Sequence, residues 1–140
     1  VNIICFDAGS APGDRDSLMA VNLVNNMPEG QMIVLTGNLH ASLKKGYWQP
    51  GFRSAIYHLK SMTGLDDKII SLNTYVGGGT IWNCMQDGCR EREAYSNKAI
   101  GERYGYTNFV VVDEQMEAQE GYSGFIYFDK VTASRPIKEK

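Results

Sequence analysis

Residues 32–35 of this chain read Met-Ile-Val-Leu, and the run stops abruptly at Thr36-Gly37-Asn38-Leu39-His40. Four apolar side chains in a row, two of them β-branched, leave no polar face. The segment therefore reads as a strand covered on both sides. Gly37 and Asn38 terminate it, and a histidine follows within two residues of the stop. This juxtaposition predicts an α/β fold presenting a polar cluster at the tip of a buried strand.

The remaining chain extends the pattern. Residues 2–7 form another short apolar run, which passes into a loop at Asp7-Ala8-Gly9-Ser10, before Pro12 and Gly13. Asp14-Arg15-Asp16-Ser17 then leads into Leu18, Met19, Val21, Leu23 and Val24. Leading acids suit a helix N-terminus, where their oxygens satisfy free amides and meet the positive end of the dipole. That helix is predicted to end near Met27, ahead of Pro28 and Gly30. Phe52, Ile56, Leu59 and Met62 recur near helical spacing and close at Gly64. Further strands are expected at residues 68–72, 109–112 and 124–128, with a polar helix over 91–103 and a charged C-terminal tail. Strands alternating with helices imply βαβ units. The expected fold class is α/β, a mostly parallel sheet of about five strands with helices on both faces, in one domain over residues 1–140. In open parallel sheets, ligands bind outside the carboxyl ends of the strands. That rule gathers Asp7, Asn38, His40 and the glycines from Gly77 onto one rim.

Composition narrows the partners. A net charge of −2 and a pI near 5.7 give no electrostatic footprint for nucleic acid. No apolar stretch approaches the roughly 20 residues of a membrane span. A small-molecule or peptide substrate is the expected partner. The chain opens at Val1 directly on a strand-like run. A removed signal peptide, trimming, or a missing N-terminal half would each produce such a start. We expect the C-terminal part of a longer polypeptide.

Of the three cysteines, Cys5 falls in the first apolar run and reads as a small buried residue. Cys84 and Cys89 stand in a short polar loop with Gly88. They admit a local disulfide, half of a metal site, or two free thiols. Zinc would need two more ligands, and the chain has only two histidines, both distant in sequence. The disulfide is the preferred reading, and it favours a periplasmic or secreted setting.

Several residues carry candidate chemistry. Imidazole titrates near neutrality, so His40 serves as base, acid or metal ligand, or simply as a hydrogen-bonded loop residue. Asn38 orients that ring, donates to a developing oxyanion, or only ends the strand. Arg15 at a helix start binds a carboxylate or phosphate bidentately, the plainer alternative being an Asp16 cap with Arg15 in solvent. Asn22 is an amide in an otherwise apolar stretch and is placed to reach back toward the rim. Gly77-Gly78-Gly79 lacks both the Lys-Ser/Thr ending of a phosphate loop and dinucleotide spacing, and reads as a turn. His58 sits in a helical stretch and reads as surface or packing. Tyr47 and Trp48 line a pocket mouth or pack under their loop. Neither a Gly-x-Ser-x-Gly elbow nor a His-Glu-x-x-His helix occurs.

Taken together, Arg15-Asp16-Ser17-Leu18-Met19-Ala20-Val21-Asn22 and Val34-Leu35-Thr36-Gly37-Asn38-Leu39-His40-Ala41 resemble a known pattern. They look like the C-terminal half of the erythromycin esterase-like and haem-uptake ChaN-like superfamily, related to the TraB and Tiki proteins. There an Arg-Asp-x-x-Met-Ala-x-Asn helix precedes a strand ending in a Gly-Asn-x-His or His-Asn-x-His turn. Gly124-Phe125-Ile126-Tyr127-Phe128-Asp129-Lys130-Val131-Thr132 resembles the closing strand. The resemblance covers residues 3–41 and 122–136, and the middle matches only loosely. It implies that Arg15 and His40 are active-site residues, with Asn38, Asp16 and Asn22 beside them. Asp7 joins from the same rim. Family members are roughly twice this length, and their N-terminal half supplies further site residues, including a His/Glu motif that this chain lacks. Three functions follow as expectations. The first is a hydrolase of esters or, with a divalent metal, of peptide bonds, in which His40 activates water or a nucleophile, Arg15 holds an anionic or carbonyl group, and Asn38 orients. The second is haem or iron binding through His40 or Tyr47. The third is a non-catalytic extracytoplasmic domain held by the disulfide. The missing half or a second copy of the chain is an expected partner.

Overall fold

A computed structural model describes residues 3–9, 12–113, 115–116 and 120–134. The expected charged tail falls largely outside these residues. The chain divides into two compact units, one of residues up to 73 plus 112–124, the other of residues 74–111 plus those from 125 onward.

The first unit is helical. Helix α1 (Arg15–Asn25) starts at Asp14, whose carboxylate accepts the Asp16 N–H at 3.2 Å. Asp16, Met19, Ala20 and Leu23 are its buried residues, the i, i+3, i+4, i+7 stripe of a helix packed on one side. A single turn, α2 (Asn38–Ala41), follows Gly37. Helix α3 (Ala55–Thr63) is capped by Ser54, whose hydroxyl accepts the Tyr57 N–H at 2.9 Å. It ends at Gly64, where the left-handed φ of 65° lets the Gly64 N–H close on the Lys60 carbonyl at 3.0 Å. Ala20 and Leu23 of α1, Leu43, and Ile56 and Leu59 of α3 form the buried core.

The second unit is built on sheet. Strands β1 (Leu72–Val76), β4 (Asn108–Val112) and β5 (Gly124–Phe128) form a three-stranded sheet with β5 central. Hydrogen bonds from Ser123 to Ser71 and from Gly77 to Phe128 advance together along both chains, so β1 and β5 are parallel. Bonds from Asp113 to Ser123 and from Asp129 to Thr107 run in opposite senses, so β4 and β5 are antiparallel. Strands β2 (Thr80–Met85) and β3 (Gly88–Glu93) pair as a separate antiparallel hairpin. Helix α4 (Lys98–Tyr104) precedes β4.

The expected mostly parallel sheet of five strands is therefore corrected to small sheets of three and two strands, one mixed and one antiparallel. Two expected strands are absent from both sheets. Residues 3–8 and 31–37 carry no strand assignment. Nor is the run at 32–35 covered on both faces. Met32 and Val34 pack against the helical core, while Ile33 and Leu35 are 89% and 86% exposed. One face of the segment rests on α1 and α3, and its apolar composition hid that alternation. Cys5 is exposed, not buried. The Cys84–Cys89 stretch is a hairpin rather than a loop, and β3 occupies the first residues of the expected 91–103 helix. Gly77-Gly78-Gly79 brings backbone against backbone. A Cβ on Gly77 would lie 2.5 Å from the Asp129 carbonyl oxygen, and the Thr80 N–H bonds the Val131 carbonyl at 2.9 Å.

Candidate functional site

The starts of α1 and α3 and the single turn α2 bring a polar cluster together in the first unit. Asp16 is buried at 5% exposure, and one oxygen serves two donors. Its Oδ1 accepts the Ala55 N–H at 2.7 Å and lies 2.8 Å from His40 Nδ1. The Ala55 amide is one of the free donors of the first turn of α3, so a carboxylate there satisfies a group that the helix cannot. A carboxylate only accepts, which places a proton on Nδ1; in the neutral ring Nε2 is then the acceptor. The His40 ring is a quarter exposed, so it is reachable from solvent.

Arg15, one residue earlier on α1, forms a two-pronged bond with Asp7. Its Nε donates to Oδ1 at 3.0 Å and its Nη2 to Oδ2 at 2.6 Å. Asp7 Oδ1 also accepts the Gly9 N–H at 2.9 Å. These bonds, those from Arg15 first and that from Gly9 next, hold the Asp7 carboxyl down to about 2 from its ordinary 3.8, and the Arg15 and His40 charges act in the same direction. Arg15 is raised in turn, first by its hydrogen bonds to Asp7, then by the Asp7 and Asp16 charges. Asn22 donates its amide to the Phe6 carbonyl at 3.1 Å, fixing the segment that carries Asp7 against α1.

Asn38 opens α2, and its carbonyl accepts the Tyr122 hydroxyl at 2.7 Å. Tyr122 is fully buried, so this bond pins the turn that presents His40. The partner of the His40 ring is Asp16, and the orienting role falls there. Tyr47 sets its ring edge-to-face on Tyr122, with centroids 5.3 Å apart. Asp7, Arg15, Asp16 and His40 thus form one linked cluster, with Asn22, Asn38 and Tyr47 supporting its frame. Among the described residues, no group of three or more His, Cys, Asp and Glu side chains is arranged to hold a metal.

His58, read from sequence as surface or packing, is a largely buried side chain of α3 beside Asp14. Its Nε2 lies 3.2 Å from Asp14 Oδ2, within ion-pair range but outside hydrogen-bond geometry. In the second unit, Cys84 and Cys89 are joined as a disulfide at directly opposed register positions of the hairpin. No described helix is long and apolar enough to cross a membrane. Set against family models, curated proteins and solved structures, the chain matches none.

Proposed function

We propose that the first unit carries a hydrolytic site of the ester-cleaving kind, with Asp16 and His40 as its working dyad. The observation that supports it is the 2.8 Å contact between a buried carboxylate and the Nδ1 of a partly exposed imidazole. A ring fixed in that tautomer keeps Nε2 free to take a proton from water. The water oxygen then bonds to the ester carbonyl carbon, the C–O bond to the alcohol breaks, and the proton on Nε2 passes to the departing alkoxide. Arg15 stands beside the dyad as the cation that meets the developing oxyanion. Asp7 holds its guanidinium in place, and Asn38 anchors the turn carrying His40. The hairpin disulfide fits an oxidising compartment, periplasmic or extracellular.

Turnover of a p-nitrophenyl ester tests this reading. His40→Ala and Asp16→Asn are each expected to lower kcat/KM by about 10²–10⁴-fold. Unchanged turnover in His40→Ala removes the reading.

A further inference from the structure

The ion pair between Asp7 and Arg15 bears on what the site admits. Arginine recognises a carboxylate or phosphate through a fork of two parallel N–H groups. Here the Nε/Nη2 fork is filled by Asp7, at 3.0 and 2.6 Å. Asp7 is itself built in, through the Gly9 N–H and through the Asn22 amide that holds the preceding residue. Asp14 and Asp16 flank Arg15 in the chain and Asp7 pairs with it, so three carboxylates accompany one guanidinium and their formal charges sum to a negative surplus. An incoming anion finds the Nε/Nη2 edge taken, and at the remaining Nη1 end it must enter that field. A neutral carbonyl oxygen needs a single donor, and Nη1 can supply one.

We propose that Asp7 is a specificity-determining residue: by occupying the Arg15 fork it reserves the site for acyl substrates without negative charge. The proposal rests on the hydrolytic reading for its substrate, but the exclusion of anions belongs to the ion pair and is measurable without turnover. The low value of the Asp7 carboxyl supports it, because the counter-charge persists at any working pH.

The full chain is titrated with inorganic phosphate and, separately, with acetate, while the Arg15 Nε–H resonance is followed and, in every variant, the Gly9 and Asp16 backbone amide resonances. Asp7→Asn keeps an oxygen for the Gly9 amide and so preserves the local fold, which the His40 ring signals check. Asp7→Asn is expected to bind either anion about tenfold more tightly than the unaltered chain, and adding Arg15→Gln is expected to abolish the gain. In parallel, the unaltered chain is expected to favour p-nitrophenyl acetate over the singly anionic p-nitrophenyl succinate by about tenfold in kcat/KM, with the gap narrowing in Asp7→Asn. Anion binding equal in the two proteins overturns the proposal. Gained anion binding with no turnover of either ester defeats the hydrolytic reading and leaves the anion exclusion standing.

Discussion

The two units solve the problem of polar groups in opposite ways. The first spends its burial on them. Asp16, Ser42 and Ser54 are all buried in it, and Asp16 faces an imidazole. The second unit fills its interior with rings. Phe109 stacks on Tyr127 at 5.1 Å and lies 5.9 Å from Phe125, which Tyr75 approaches at 5.4 Å. Five of its charged residues stand on the hairpin, where Arg90 and Arg92 both bond Asp87. Buried polar groups must be paired to be tolerated, and pairing fixes their geometry. Chemistry is therefore expected in the first unit, and scaffold in the second.

The strongest way to break this contrast is to damage the scaffold. A Cβ on Gly101 would lie 2.6 Å from Tyr127 Cζ and 2.8 Å from its Cε1, against a ring that is 1% exposed. Gly101→Ala is expected to cost the upper end of about 1–3 kcal/mol, despite alanine's better helix propensity. Amide exchange should accelerate in β5 and α4 while α1 holds its protection; equal acceleration in α1 would abolish the division. The disulfide is expected to matter less. It spans five positions of a hairpin that the strand ladder also holds. Replacing both cysteines by serine should lower stability by about 2 kcal/mol, mainly through the unfolded chain, with ester turnover unchanged. Denaturant unfolding of the two proteins reads that difference.

The smallest effect concerns pH. The Asp7 carboxyl is lowered in the folded chain, so its pairing stabilises above the ordinary carboxylate value and is lost as pH falls through about 2. The stability gap between the unaltered protein and Asp7→Asn should be constant above about pH 5 and close on acidification. A gap that closes near neutrality instead would assign the linkage to a histidine.

Helices were the most legible part of the sequence. The leading acids and Pro28 bracket α1, and Gly64 closes α3, because caps are local chemistry that a short window contains. Strand pairing is not local. The apolar run at 32–35 carries strong strand propensity, but whether it joins a sheet depends on partners elsewhere in the chain. The hairpin was obscured for the converse reason. Its strands hold Asn83, Arg90, Glu91 and Glu93, polar residues suited to an exposed arm, and only Asp87-Gly88 marked the turn. At the site, Arg15, Asp16 and His40 were named from sequence. Their division of labour was not: Asp16 orients the imidazole because the start of α3 brings Ala55 to the same carboxylate, a meeting across 39 residues.

Asn22 gives the arrangement a mechanical character. Among the described residues the segment ending at Asp7 carries no strand, and the Asn22 amide, the Arg15 fork and the packing of Phe6 on the helical core fasten it. Counter-charge and guanidinium are thus mounted on different pieces of backbone, joined by polar bonds and by the seat of Phe6 on the core. Loss of the Asn22 amide would pass its load to the Arg15 fork and to Phe6 on the core, so the charge pair is itself part of the fastening.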